Sequence, residues 1–381
     1  SRYAWFLYGS IHSDLINNIF CFIFKETKLK IIKYLIFIIA ILVIGVLILI
    51  RIPSIQDRIA TRVIKNTLTN PLSIPDDALT ALVCGSRSPI PSPNRAETCI
   101  LIKAGENLYI VDVGDGSISN LRNWRVDINK VKAVLLTHLH SDHISDLADL
   151  HLNSWIMNPT RSKKLDVFGP QGVDQVVNGF DAAYKLDYQF RNEHHGDDVA
   201  PLDSAGYEPN IIDLTSPIII DDNGLKVTAF SVIHDPVEPA LGYRFDYKGR
   251  SIVISGDTIY HDNVIKNSKD ADVLFHEAQA NHMIKIMENE NVKLGNLLLA
   301  KVMSDIVTYH TTPVEAAEIA NKANVRHLVF YHLTPAPRNN IMENMFVRGV
   351  NEVREEWTLS DDGTMVILPL NSDKIEIKKI N

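Results

Sequence analysis

The chain has 381 residues, 46 of them acidic and 38 basic, for a net charge of −8, and 46% are hydrophobic. That length suits one large α/β domain with extensions, and the apolar share supplies a sizeable core. The acidic balance, with no basic stripe, argues against a nucleic-acid binder. Cys21, Cys84 and Cys99 make neither a disulfide framework nor a CxxC metal knuckle. They are read as small buried hydrophobes, although Cys84 and Cys99 are candidates for neighbouring strands.

In chain order, residues 1–30 form a tail of doubtful status. The run YLIFIIAILVIGVLILI, residues 34–50, holds no charge. Extended to 31–52, it has the length of a membrane span, with Lys33 and Arg51 near its ends where their stems can snorkel. The run is apolar all round, unlike a core helix with a polar face, and RIPSIQDR follows where a signal peptide would carry its small-residue cleavage site. A retained single-pass transmembrane anchor is therefore expected. Lys25, Lys28, Lys30 and Lys33 before the span balance Arg51, Arg58, Arg62 and Lys65 after it. The working orientation puts the N-terminus inside and the catalytic domain outside the cytoplasm. Residues 53–78 are expected to be a juxtamembrane helix, with Ile55, Ile59 and Val63 at helical spacing, followed by the linker NPLSIPDDA. Residues 79–381 are the soluble domain.

That domain opens with LTALVCG, TCILIKAG and NLYIVDVGDG, strand-like runs separated by Gly, Pro and Asn. VKAVLLTH is another strand, and SDHISDLADLHLNSWI has helical spacing with Ile144, Leu147, Ala148 and His151 on one stripe. LKVTAFSVIH is a strand, and LGYRFDYKGRSIVISGD a hairpin turning at Lys248 and Gly249. TTPVEAAEIANKANV is a helix with Thr312 as N-cap, Pro313 at its first position and Glu315 closing a capping box. RHLVFYH is a closing strand. His138, His234, Asp257 and His332 each follow or end one of these strands, which suggests one site at the edge of stacked sheets.

His138, His140, Asp142 and His143 form HxHxDH. Neutral imidazoles and a carboxylate suit zinc, iron or manganese. Alternation puts His138 and His140 on one side of an extended segment, in reach of one metal. Asp142 and His143 start a helix and face a second. His234 completes the first set, His332 the second, and Asp257 bridges them. Two divalent ions, with Zn2+ expected and Mn2+ or Fe2+ as alternatives, would lower the pKa of a shared water.

HxHxDH, a lone His after a strand, SGDT and a late His together resemble the metallo-β-lactamase superfamily over roughly residues 80–370. The resemblance implies an α/β fold, the four-layer αββα sandwich, here preceded by one N-terminal transmembrane helix. CGSRSPIPSPNRAETCILI, ADVLFHEAQ and YHTTPVEAAEIA resemble motifs of the tRNase Z branch. Carried over, Glu277 positions His310, the general acid toward the leaving group, and Asp142, His310 and Glu277 carry the chemistry. A carboxylate beside His310 would also keep the imidazole charged near neutral pH. Asp112 matches a superfamily aspartate that accepts from the free N–H of a ligand imidazole. His194 and His195, in a loop over the site, and Arg338 are further candidates for binding an anionic substrate. The tRNase Z branch carries a long arm between its third-motif His and the bridging Asp. Here His234 and Asp257 are separated by little more than a hairpin, and zinc arylsulfatases resemble the chain in this respect.

The reading that results is a membrane-anchored dinuclear-metal hydrolase of a small anionic ester, an aryl sulfate or a phosphodiester. Nucleic acid is disfavoured and a homodimer allowed. The alternatives are a tRNA 3′-processing endoribonuclease, a lactonase or thioester hydrolase, and a metal-binding scaffold without catalysis.

Overall fold

A computed structural model gives the architecture of residues 4–380 except 70, 157, 159 and 160, with side chains described outside 4–24, 26, 27 and 68. The side chain of Cys21 and residues 1–3 of the tail lie outside these described residues. The chain divides into two compact units, Ser1–Asn70 and Pro71–Asn381.

The first unit is α1 (Ala4–Leu49) and α2 (Pro53–Thr69). The described part of the tail is helical and continuous with the apolar run. Within α1 the stretch Lys28–Leu49 is long and apolar enough to cross a membrane, three residues ahead of the span expected from sequence. It suits a membrane anchor or a signal sequence alike. The helix stops because residues 50–52 turn ahead of Pro53, whose ring disfavours helical geometry in the residue before it.

In the second unit β1 (Ala78–Gly85), β2 (Cys99–Ala104), β3 (Asn107–Val111), β4 (Val131–Leu135), β5 (Leu165–Gly169) and β6 (Tyr207–Ile211) belong to one sheet. Then β7 (Ile218–Asp222), β8 (Leu225–His234), β9 (Val237–Tyr247), β10 (Arg250–Ile254), β11 (Val273–Gln279), β12 (His327–Thr334) and β13 (Trp357–Leu359) build a second. The last strands, β14 (Thr364–Pro369) and β15 (Glu376–Lys379), return to the first sheet. The sheets run β15-β14-β1-β2-β3-β4-β5-β6 and β13-β12-β11-β10-β9-β8-β7. The helices between them are α3 (Ser117–Asn123), α4 (Ser141–Ile144), α5 (Leu147–Trp155), α6 (Val173–His195), α7 (Asp262–Asn267), α8 (Asn281–Lys293), α9 (Leu297–Asp305), α10 (Pro313–Lys322) and α11 (Asn340–Phe346).

Side-chain alternation builds the layers. Val83, Ile100 and Leu135 meet Tyr243, Phe275 and Tyr331 between the sheets. Their neighbours Leu82, Leu101 and Val134 point the other way, against Leu147, Leu150 and Val177 of the helices. On the far side Val253, Leu274 and Phe330 pack on Val264, Ala316 and Ile319. The result is a four-layer αββα sandwich. Strands covered on both faces read as continuous apolar runs, which is why β1, β2 and β4 were legible. β6 and β7, short and largely uncovered, were not.

Two sequence readings are corrected here. Cys84 and Cys99 form a disulfide between β1 and β2 rather than sitting as separate thiols. The pairing follows from the antiparallel register, in which Gly85 faces Cys99 across a bulge, and spacing alone does not give that register. Residues 71–78, read as linker, belong to the domain: Ile74 is buried in its core, and the Lys103 ammonium bonds the Ile74 carbonyl (2.5 Å) and Asp76. The α10 capping box stands as expected, with the Thr312 N–H donating to Glu315 Oε2 at 2.8 Å.

His151 of α5 is buried against Trp155, Tyr188 and Tyr207, and its Nε2 accepts the Gly206 N–H at 2.7 Å. Burial, with Arg161 adding to it, pulls this imidazole down to about 3 from the ordinary 6.5. The unfolded chain therefore takes up this proton first, and the folded state is fully favoured above pH 6.5 and loses stability as pH falls toward 3. A His151→Gln variant, which keeps an acceptor, should flatten the pH dependence of the unfolding free energy, measured by urea titration, by about 1.4 kcal/mol per pH unit below pH 6.5. An unchanged slope would show that His151 is not the group that titrates.

The Cys84–Cys99 link closes a loop of 15 residues. Reduction, or paired replacement by serine, should cost about 3 kcal/mol of stability on the chain-entropy estimate, read as a lowered midpoint in denaturant.

Candidate metal centre

The site lies where strands of both sheets end. β8 and β10 both run antiparallel to β9, and β10, β11 and β12 are parallel, so β8, β10 and β12 all end on one edge. His138 and Asp257 each stand three residues beyond the last residue of a strand, β4 and β10; His234 ends β8, and His332 lies near the end of β12. Two bulges aim the last two. The β8–β9 register shifts between Val232 and His234, and the β11–β12 register skips His332, which takes a left-handed φ of 46°. A bulge turns a side chain out of the sheet's alternation. Asp257 is delivered by a tight turn at Gly256, whose φ of +65° and approach to the Leu241 carbonyl leave no room for a Cβ, which would lie 2.2 Å from that oxygen.

The seven side chains of the candidate ligand set converge. Asp257 Oδ2 lies 3.3 Å from His332 Nε2, 3.5 Å from His143 Nε2, and 3.9 Å from the Nε2 atoms of His138 and His234. His138 Nε2 is 2.9 Å from His140 Nδ1, and Asp142 Oδ2 is 3.2 Å from His332 Nε2. Donor atoms of His138, His140 and His234 form one compact group, and those of Asp142, His143 and His332 another. All but His140 are buried.

Behind the imidazoles, fixed partners decide which nitrogen faces inward. Asp112 Oδ2 lies 2.9 Å from His143 Nδ1, and the carboxylate accepts the Thr137 N–H and hydroxyl at 2.8 Å each. His143 Nδ1–H thus points at Asp112 and Nε2 at the cluster. The His234 Nδ1–H donates to the Tyr309 carbonyl at 3.0 Å, which leaves its Nε2 free. Asp112 itself sits at a φ of 57°, a left-handed geometry uncommon outside glycine.

Burial works to raise Asp142, but His143 and His332 outweigh it and bring the carboxyl to about 2. Burial lowers His234 to about 4 despite Asp257. Burial likewise works against the Asp257 carboxylate, but His332 and His143 hold it well below the usual range. The site therefore presents ionised carboxylates beside imidazoles. His143 Nε2, Asp257 Oδ1 and His332 Nδ1 are buried without a hydrogen-bond partner. Orphaned buried polar atoms are rare and call for a partner, and nitrogen and carboxylate donors this close fit divalent cations.

Beside the cluster, Glu277 Oε1 lies 3.1 Å from His310 Nδ1 and accepts the N–H groups of Thr311 (3.0 Å) and Thr258 (3.3 Å). Burial pushes Glu277 up and lowers His310, outweighing the pull of Asp257 and Asp142 on the imidazole. The expectation that Glu277 keeps His310 charged is thus not met; the contact fixes the ring's orientation. His140, Asp142, His234, His310 and His332 line one cavity of about 280 Å³.

Three candidates lie elsewhere. His194 and His195 are not in an overhanging loop: they close the last turn of α6, exposed, and neither lines the cavity. The Arg338 guanidinium donates to the Pro91 carbonyl at 2.8 Å and lines a separate polar pocket with Arg95 and Asp361. Sequence reasoning passed over Thr137, Tyr309, and the apolar wall of the cavity formed by Ile90, Val302, Met303 and Ile306. Thr137 and Tyr309 directly precede named histidines, which is the one signal that could have found them.

The model of the β-lactamase superfamily domain matches residues 100–333, more than half of the chain. A ribonuclease Z of Mycobacterium bovis is 34% identical over 253 residues, 66% of this chain and 85% of that protein. A ribonuclease Z of Mycobacterium marinum is 33% identical over the same shares. Among solved structures, the metallo-β-lactamase fold protein YhfI of Bacillus subtilis superposes with a TM-score of 0.54 at 20% identity, over 76% of this chain and 99% of that one. Human tRNase Z, short form, gives 0.53 at 20% identity over the same shares. The chain therefore belongs to the metallo-β-lactamase superfamily, in its tRNase Z-like branch, and is a metal-dependent hydrolase of that superfamily.

Chelator-stripped protein should take up two equivalents of divalent ion by elemental analysis, with a rise in Tm on binding. His332→Ala should retain about one equivalent. Full occupancy in that variant would remove His332 from the ligand set.

Proposed function

We propose that the chain is a phosphodiesterase that uses the ribonuclease Z-type arrangement of groups. The observation that carries this is the Glu277–His310 pair, 3.1 Å apart, with His310 in the wall of the cavity that His140, Asp142, His234, Asp257 and His332 of the cluster also line. A lactonase or thioester hydrolase, whose leaving group departs with less charge, has less need of that pair.

His138, His140 and His234 would hold one divalent ion and Asp142, His143 and His332 a second, with Asp257 between them. When bound, the ions, Zn2+ being our assignment, supply Lewis acidity toward the phosphate oxygens and acidify water. Asp112 and the Tyr309 carbonyl keep His143 and His234 in the tautomers that turn Nε2 inward. Glu277 fixes the His310 ring through Nδ1, so that Nε2 is the atom from which a proton passes to the departing ester oxygen. Burial of His310 favours release of that proton once the ring holds it.

The names of the relatives support phosphodiester over aryl sulfate, and they argue against setting nucleic acid aside on net charge alone. A second reading of the substrate, a phosphodiester smaller than a precursor tRNA, has two supports. The interval from His234 to Asp257 is filled by β9 and β10, paired from Tyr247 and Arg250 onward, with no long arm. The disulfide Cys84–Cys99 suits an oxidising compartment, in keeping with a domain held outside the cytoplasm by α1.

Zinc-loaded protein should turn over bis(4-nitrophenyl) phosphate and leave 4-nitrophenyl sulfate nearly untouched; the reverse order would return the aryl sulfate reading. His310→Ala should lower kcat by about 10²–10⁴-fold for an alkyl leaving group and far less for nitrophenolate, which departs without a proton. Equal losses for both would remove the acid role.

A further inference from the structure

α8 and α9 form a helical hairpin inserted between the strand that carries Glu277 and the turn that carries His310. Its tip is apolar and in the open: Leu294 is 74% exposed, Leu297 65% and Leu298 87%. Scattered exposed leucines need no explanation, but three within five residues at one tip do. From that tip a track runs inward along α9. Leu298 and Val302 are four residues apart on one face of that helix, and Ile306, its C-cap residue, continues the four-residue step. Val302 and Ile306 then line the catalytic cavity with Met303 and Ile90. One apolar surface thus leads from solvent into the cavity that Asp142 and His310 also line.

The charges agree with an apolar occupant. Among the described residues, no lysine or arginine lines the cavity. On the hairpin Lys285, Lys293 and Lys301 are paired with Glu288, Glu290 and Asp305. A polyanion would meet neither a basic groove nor free cations there, and a nucleic acid needs one or the other. The same chain carries a helix of membrane-crossing length, so a lipid surface is the apolar phase at hand.

We propose that the ester cleaved here is carried on an amphiphile, a phosphodiester with a long alkyl chain drawn from a lipid surface, whose chain lies along the Leu298–Val302–Ile306 track while the tip leucines rest in the lipid. This deepens the phosphodiesterase reading and rests on it. The apolar track holds the chain, the cluster receives the charged head, and the tip spares the chain a passage through water.

The test uses the zinc-loaded full chain reconstituted in phosphatidylcholine nanodiscs. Two diesters with the same nitrophenolate leaving group are compared, 4-nitrophenyl methyl phosphate and 4-nitrophenyl hexadecyl phosphate. The hexadecyl diester should be favoured at least 30-fold in kcat/KM, and Leu297→Asn with Leu298→Asn should cut that ratio at least tenfold. Equal turnover of the two diesters overturns the amphiphile and leaves the phosphodiesterase reading standing. Turnover of neither overturns that reading and the amphiphile with it. Independently of activity, Leu298→Trp should be quenched by brominated lipid beyond the wild-type level. Quenching by aqueous acrylamide alone, or a dimer in the disc that shields the tip from both quenchers, overturns the lipid contact.

Discussion

The Asp257 carboxylate set among four imidazoles is the constraint on which the rest of the site depends. One oxygen of a fully buried carboxylate has four Nε2 atoms within 3.9 Å. Burying an unpaired charge costs several kcal/mol, so this arrangement is tolerable only where the imidazoles, or cations held by them, compensate it. The surroundings follow from that need. Asp112 and Thr137 fix His143 from behind, the Tyr309 carbonyl fixes His234, and Gly256 gives up its Cβ so that the turn can bring the carboxylate in.

The fold meets this constraint at a line where both sheets run out. Two bulges and two left-handed residues, Asp112 and His332, stand there. Regular strand geometry would send alternate side chains into the apolar layers; the irregular backbone instead turns polar ones toward a shared cavity. Strain of about 1–3 kcal/mol per such residue persists where the surroundings over-determine it. The four apolar layers do so here, with Tyr243 and Tyr331 anchoring the Leu136 carbonyl and the Gly256 N–H through their hydroxyls.

Around that shared centre, the segments that differ decide what the centre meets. A short hairpin occupies the interval where the tRNase Z branch carries an arm. The α8–α9 hairpin lies between the motif of Glu277 and that of His310, and Val302 and Met303 of α9, with Ile306 after it, give the cavity an apolar wall. The histidine–aspartate cluster and the apolar wall are thus built from different parts of the chain. The relatives' names bear on the chemistry, and the wall bears on the substrate.

The sequence by itself determined the ligand-type residues and the strands buried on both faces, because histidine and aspartate at the ends of apolar runs are costly and conspicuous. HxHxDH, His234, Asp257 and His332 were legible for that reason, and so was the capping box of α10, which is local. Only the tertiary structure decided what depends on register and packing. It joined Cys84 to Cys99 across two strands, drew Ile74 into the core, and kept His194, His195 and Arg338 away from the cavity. It also let burial outweigh the carboxylates at His310. Each of these turns on which segments lie side by side, and residue spacing along a chain carries no such information.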